Sequence, residues 1–202
     1  GMEVIGGKKI AQFQWQKMHP SGIRVPESME LRLRTASAEI NGVVMGVVRA
    51  SDLYHFFRDD REDSPWHEEK NQSLLDDNLR YKLEEEELAK NIAAGMKNTM
   101  LGEEYEDFIK YNNGIVIVSN GIEQEQEGDS TLVTVHRPSI VNGGQTTNSV
   151  YDAVEEAFSG GGESPDGHIP VKIVDTGDGG EESKRLVIDV ARYANKQNPI
   201  TP

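Results

Sequence analysis

The sequence predicts an α/β or α+β fold, a mixed sheet with helices, in which a β-rich N-terminal part over residues 1–70 precedes a motif-bearing region over 71–202. Three observations predict it. Segments with a period of two crowd the first fifty residues. Ile115-Val116-Ile117-Val118 is an unbroken β-branched run of the kind found in strands buried on both faces. Finally, Ile140-Val141 runs straight into Asn142-Gly143-Gly144-Gln145-Thr146-Thr147, after which Val150, Val154 and Phe158 recur at helical spacing, so a strand, a glycine turn and a helix follow one another.

Taken in order, Ala11, Phe13 and Trp15 alternate with glutamines, and Leu31 and Leu33 with arginines, each pattern a strand. Asn41-Gly42 is a hairpin signal because both residues tolerate positive φ, and Val43 to Val48 is the apolar strand behind it. Ser51 or Asp52 can cap a short helix through Leu53, Phe56 and Phe57. Residues 59–73 are charged and contain Pro65, the composition of an exposed connection and a subdomain joint. Leu88, Ile92, Met96 and Met100 step by four along a helix that Gly102 ends, and Tyr105, Phe108 and Ile109 suggest one short helix more. From Ile115 the chain reads strand, strand (Leu132, Val133, Val135), strand (Ile140-Val141), helix, strand (Ile169 to Val174) and helix (181–195), the last with Leu186, Val190 and Tyr193 on one side. Ser159 to Pro165 and residues 175–180 read as a flexible loop and a Gly/Asp turn.

Composition excludes several classes. With 36% hydrophobic and 28% charged residues the chain can bury a core. The lack of cysteine removes disulfides, thiolate metal sites and a cysteine nucleophile. No apolar run reaches the length of a membrane span and no secretory signal opens the chain, so the expected setting is the cytoplasm, with no membrane partner. The net charge of −14 is uneven, −3 over residues 1–101 and −11 over 102–202, which makes most of the second half a poor surface for duplex DNA. Gly1 before Met2 reads as a remnant of tag removal. The stop at Asn198-Pro199-Ile200-Thr201-Pro202, without a polar tail, reads as the trimmed end of a longer protein.

The strand–turn–helix at Ile140 to Asn148 has the parts of an anion cradle. Gly143 and Gly144 permit close backbone approach, and the first N–H groups of the helix lack intrahelical acceptors and carry partial positive charge. Thr146, Thr147 or Asn148 can cap the helix or meet a ligand oxygen. The segment is neither a Walker A loop nor G-x-G-x-x-G, and taken alone it is better explained by a tight turn with an ordinary cap. Tyr111-Asn112-Asn113-Gly114 and Ala194-Asn195-Lys196-Gln197-Asn198 are two further element ends rich in neutral amides. If the three ends converge, Asn112, Asn113, Gly114, Asn142, Gly143, Gly144, Gln145, Thr146, Thr147, Asn195, Gln197 and Asn198 form a pocket suited to a nucleobase, sugar or phosphate rather than a metal. Arg80 and Arg192 are the candidate phosphate ligands among the basic residues, which also include Lys82, Arg137, Lys172, Lys184 and Arg185. No motif specifies a cofactor. His19, His55, His67, His136 and His168 show no metal-ligand spacing, and Glu84 to Glu87 reads as an acidic first helical turn.

In order along the chain, Leu74-Leu75-Asp76-Asp77-Asn78-Leu79-Arg80, the helix from Asn91-Ile92 to Met100, Phe108 to Ile115, Ile140 to Thr147 and Ala194 to Ile200 resemble the signature of the abortive infection phage resistance (AIPR) family, over about residues 74–200. The resemblance implies a bacterial antiviral defence protein and leaves its chemistry open. A more distant similarity to DGQHR-type and ParB-like proteins implies a turn beside a nucleotide or DNA phosphate, although Thr146-Thr147 stand where that pattern has His-Arg. Three functions are consistent with this reading. The first is binding of a nucleotide or nucleic acid through the Asn142–Thr147 loop. The second is a non-catalytic module whose acidic surface meets a defence-system protein. The third is a metal-dependent enzyme on nucleotides or nucleic acid, with Asp175 or Glu87 holding the ion.

Overall fold

The computed structural model describes residues 26–34, 38–60, 68–75, 86–102 and 104–196. The expected strand over Ala11 to Trp15 lies outside them, as do His19, His67, Arg80, Lys82, Gln197 and Asn198. Within them the fold is α+β: two sheets and five α-helices around one main core.

The smaller sheet is antiparallel, in the order β1 (Ser28–Leu33), β6 (Ser130–His136), β5 (Ile122–Glu127). Leu31 and Leu33 of β1 and Val133 and Val135 of β6 point inward, as their alternation with polar residues requires. β5 is the strand that the sequence reading lacks. Its residues Glu123 to Glu127 are exposed, so no apolar alternation marks it; pairing with β6, the Arg32–Glu127 ion pair, a bond from Gln124 to Glu39 and Ile122 against the core hold it in place.

The larger sheet is mixed, in the order β2 (Ala38–Ile40), β3 (Val43–Arg49), β8 (His168–Asp175), β4 (Ile115–Ser119), β7 (Ser139–Asn142), with β8 and β4 parallel and the other pairs antiparallel. Asn41 and Gly42, at φ 51° and 72°, make the two-residue turn between β2 and β3. Both sheets pair strands from before residue 70 with strands from after it. Ile115 and Ile117 of β4, and Ile169 and Ile173 of β8, enter the main core. The alternate residues Val116, Val118 and Val174 face the other way.

α1 (Ala50–Phe57) buries Leu53, Tyr54, Phe56 and Phe57 against β1, β3 and α4 (Gly144–Ser159). Neither Ser51 nor Asp52 caps it, contrary to expectation. The helix begins one residue earlier, its Ala50 N–H donates to the Gly167 carbonyl at 2.8 Å, and Asp52 in the first turn pairs with Arg34 at 3.1 Å. α2 (Glu86–Leu101) packs on α4 and buries Met100; Gly102 ends it, its N–H donating to the Asn98 carbonyl. The side chains of Leu88 and Ile92 lie outside the described residues. A 3₁₀ turn at Tyr105–Asp107 leads into α3 (Phe108–Tyr111), the short helix expected there. α5 (Glu181–Lys196) lies on the opposite face of the larger sheet, where Val187, Val190 and Ala191 meet Val43, Val118, Val141 and Val174. Its packed stripe is therefore the buried Ser183 and Ala191 with the partly buried Val187 and Val190. Leu186 and Tyr193, expected on the packed side, are exposed, because α5 covers only part of that face.

Candidate functional site

The uncovered part is a row across the sheet. Met45 pairs with Lys172, Lys172 with Val116, and Val116 with Asn142, so four strands contribute one residue each on the α5 side. A cleft of about 970 Å³ opens over this row, bounded by the end of α3, the start of α4 and the C-terminal half of α5. Asn112, Asn113, Gly114, Asn142, Gly143, Gly144, Gln145, Thr146 and Asn195 all line it. Segments more than eighty residues apart along the chain thus meet, and the physical cause is topology. The parallel pairing of β4 with β8 and the antiparallel pairing of β4 with β7 bring the start of β4 beside the end of β7.

Two glycines allow the backbones to close on each other. Gly114, at φ 79°, stands so near β8 that a Cβ would sit 2.2 Å from the Pro170 carbonyl oxygen. Gly143, the residue before α4, is left-handed at φ 84°, and a Cβ there would lie 2.6 Å from the Gly114 carbonyl oxygen. Neither position tolerates a side chain. The glycine turn is therefore a packing requirement as well as an opening at the helix start.

Most of the amides serve to fasten the walls. The Asn112 Nδ2–H donates to Thr146 Oγ1 at 3.0 Å, and its Oδ1 accepts the Gly114 N–H at 2.7 Å, which ties the α3–β4 turn to the first turn of α4. Asn142 Nδ2 donates to Asn195 Oδ1 at 2.9 Å and to the Ala194 carbonyl at 3.1 Å. Asn195 Nδ2 returns bonds to the Val141 carbonyl at 2.9 Å and the Ala191 carbonyl at 2.7 Å, so the two asparagines clamp the end of α5 to β7. Thr147 is fully buried, does not line the cleft, and donates to the Gly143 carbonyl at 3.0 Å. Asn148 bonds the Gly144 carbonyl. No side chain caps α4. Its first backbone bond runs from Thr147 N–H to the Gly143 carbonyl, leaving the earlier N–H groups at the cleft without intrahelical acceptors. Asn113 and Gln145 hold no side-chain hydrogen bond among the described residues, and both face the cleft.

The remaining candidates are scattered. Arg192 is exposed outside the cleft lining, its guanidinium 6.0 Å from the ring of Tyr193. Lys172, counted among the basic residues but not chosen, is the cation on the cleft floor, and Asp189 stands on the wall. Neither makes an ion pair among the described residues. Asp175 accepts the Gly177 N–H at 2.8 Å and Asp178 the Gly180 N–H at 3.2 Å, as turn residues do. The Glu87 side chain lies outside the described residues. Among the described residues no three His, Asp or Glu side chains are grouped to hold a metal. His136 pairs with Glu123 at 3.1 Å, and His55 packs edge-on against Tyr54. Sequence reasoning also missed Tyr111 and Tyr193 as cleft residues, although each stands within two positions of a singled-out asparagine.

A second polar cluster sits away from the cleft, between α1 and α4. The Tyr54 phenol donates to Glu155 at 2.5 Å and accepts from Arg58 at 2.8 Å, while its ring stacks on Tyr151 at 4.7 Å. Burial first of all holds both phenols above the ordinary tyrosine range, helped at Tyr54 by its bond to Glu155 and at Tyr151 by the neighbouring Tyr54 and Glu155, and the bond to Tyr54 raises Arg58 further. This cluster joins two helices, and its Tyr151 and Glu155 border a smaller cleft of about 510 Å³ with Glu68, Glu69, Lys70 and Gln72.

Fold and site together define an α+β protein with a largely uncharged, ligand-sized cleft built from amide-bearing element ends. The family model described as AIPR protein matches residues 75–202, more than half of the chain. The chain belongs to the AIPR family, associated with abortive-infection phage resistance, as the ordered motifs suggested. No curated protein matches it, and no solved structure does. No helix among the described residues is long and apolar enough to cross a membrane.

Proposed function

We propose that the cleft binds a nucleotide or nucleic-acid ligand through the Asn142–Thr147 loop, as the recognition step of a defence response. The observation that carries this reading is the convergence of three amide-rich element ends on one cleft, at the point where the uncapped N-terminus of α4 opens. Backbone N–H groups there favour an anion. Asn113 and Gln145 offer both donors and acceptors, and Lys172 supplies a positive charge on the floor. The acidity of the chain favours a small or unpaired ligand over a duplex.

Calorimetric titration with nucleoside triphosphates and short single-stranded oligonucleotides tests it. The expected result is saturable binding, weakened at least about tenfold in Gln145→Ala with an unchanged melting temperature, since loss of one polar contact to a charged ligand is worth roughly that factor. No binding at millimolar ligand would sink the reading.

The reading as a non-catalytic interaction module has its own support. The amides of Asn112, Asn142 and Asn195 are engaged within the protein, as a purely structural role would have them. On that reading Asn142→Ala costs stability while a thermal-shift screen of small ligands stays flat.

A further inference from the structure

The exposed apolar side chains are not spread evenly. Among the described residues eight large hydrophobics are exposed, and four of them (Met45, Tyr111, Leu186 and Tyr193) line this one cleft. Isolated exposed apolar residues need no explanation, but a cluster inside a concave site does. The two tyrosines are 69% and 62% exposed, and they come from different elements, α3 and α5. Beside them lie polar groups of both kinds: the Asn113 and Gln145 amides, the Lys172 ammonium and the Asp189 carboxylate. A purely apolar partner would leave these four groups desolvated and unmatched. A free phosphate would leave the aromatic and apolar surface unused.

Resting on the nucleotide reading above, we infer that the cleft recognises an unpaired nucleobase together with its phosphate: Tyr111 and Tyr193 supply the stacking surface, and Lys172 meets the phosphate. The base is flat and apolar on its faces and polar on its edge, which matches tyrosine rings beside amide side chains. Asp189 accepts from ribose hydroxyls or an exocyclic amino group, and Asn113 and Gln145 can pair with the base edge. A base inside a duplex is stacked on both faces and paired along its edge, so the site discriminates against a duplex.

The test compares the four ribonucleoside triphosphates with inorganic tripolyphosphate, which carries the same anion without base or sugar. Each is titrated calorimetrically against the full chain and its Tyr111→Leu/Tyr193→Leu and Tyr111→Phe/Tyr193→Phe variants. Both positions are exposed, so the fold should persist, and circular dichroism checks it. The expected result is nucleotide binding roughly tenfold or more tighter than tripolyphosphate, a gap removed by the leucine pair and retained by the phenylalanine pair, the size expected for one stacked base. Equal affinity for nucleotides and tripolyphosphate would overturn the inference and leave the proposed anion site standing. Nucleotide binding insensitive to the leucine pair would overturn it as well. If neither probe binds, both readings fall. If sedimentation instead shows a dimer that the leucine pair dissociates, the tyrosines serve self-association and the inference is overturned.

Discussion

The two faces of the larger sheet come from the same five strands and end differently. On one face Ile117, Ile140, Ile169 and Ile173 are sealed under helices and the smaller sheet. On the other, α5 covers Val118, Val141 and Val174, while Val116 is half-buried and Lys172 exposed. Period-two alternation sends equal numbers of side chains each way, and only the covering layer differs. The lesson is that the cleft is not carved out of a core. It is the part of a sheet that its own helix leaves uncovered, with polar clamps at the edges of the gap.

The sharpest way to break this comparison lies where the two faces meet, at the backbone. Gly114→Ala and Gly143→Ala each push a Cβ into a carbonyl oxygen at 2.2 and 2.6 Å, at positive φ. Both should cost more than about 4 kcal/mol, the range of exceptional single substitutions, and leave little folded protein. Circular dichroism and solubility check this; a folded Gly143→Ala protein with an ordinary melting curve would contradict the close approach of β7 to β4.

Two neighbours on β4 then compare the faces directly. Ile117→Ala removes a fully buried side chain from the main core and should cost about 2–5 kcal/mol. Val116→Ala, one residue away but on the cleft floor, should cost roughly 1 kcal/mol, because it removes two methyl groups from a position that is only partly buried. Urea denaturation gives both values. Equal costs would mean that the cleft is closed in solution.

The asparagine clamp comes next. Asn195→Ala leaves the Asn142 amide without its side-chain partner and two backbone carbonyls without their donor, at a cost of about 1–3 kcal/mol. Asn142→Ala removes part of the same network, so the double variant should cost clearly less than the two singles combined. Additive costs in a double-mutant cycle would show that α5 is held to β7 by other contacts.

How much of this was legible in the sequence follows from what each element buries. Ile115–Val118 announced itself because Ile115 and Ile117 enter the main core while Val118, and in part Val116, pack on the α5 side, and Asn41-Gly42 because its turn needs two positive φ angles. β5 carried no such mark, since an exposed strand rich in Glu and Gln needs no apolar alternation, only a backbone partner and polar side-chain contacts. The three amide motifs were visible one by one, but their meeting depends on strand order, which no local pattern encodes. The same holds for Lys172. As a lone lysine in an apolar strand it resembles any outward-facing charge, and only the shortfall of α5 turns that outward face into a cleft floor. The reading of α5 erred for a related reason. Leu186 and Tyr193 fit an amphipathic stripe, and the stripe continues past the edge of what the helix has to cover.

The smallest effect on stability belongs to the residues that the proposed function assigns to the ligand. Asn113 and Gln145 face the cleft and bond no other described side chain, so Asn113→Ala and Gln145→Ala should each change stability by no more than about 0.5 kcal/mol, as surface substitutions do. Asn195→Ala and these variants thus separate two uses of the same chemical group. The clamp amides act on the melting temperature whether or not a ligand is present. The unengaged amides act only on ligand affinity, read by the same calorimetric titration with nucleoside triphosphates. A Gln145→Ala protein that melts several degrees lower would place Gln145 with the clamp, and Asn113 alone would remain spare for a ligand.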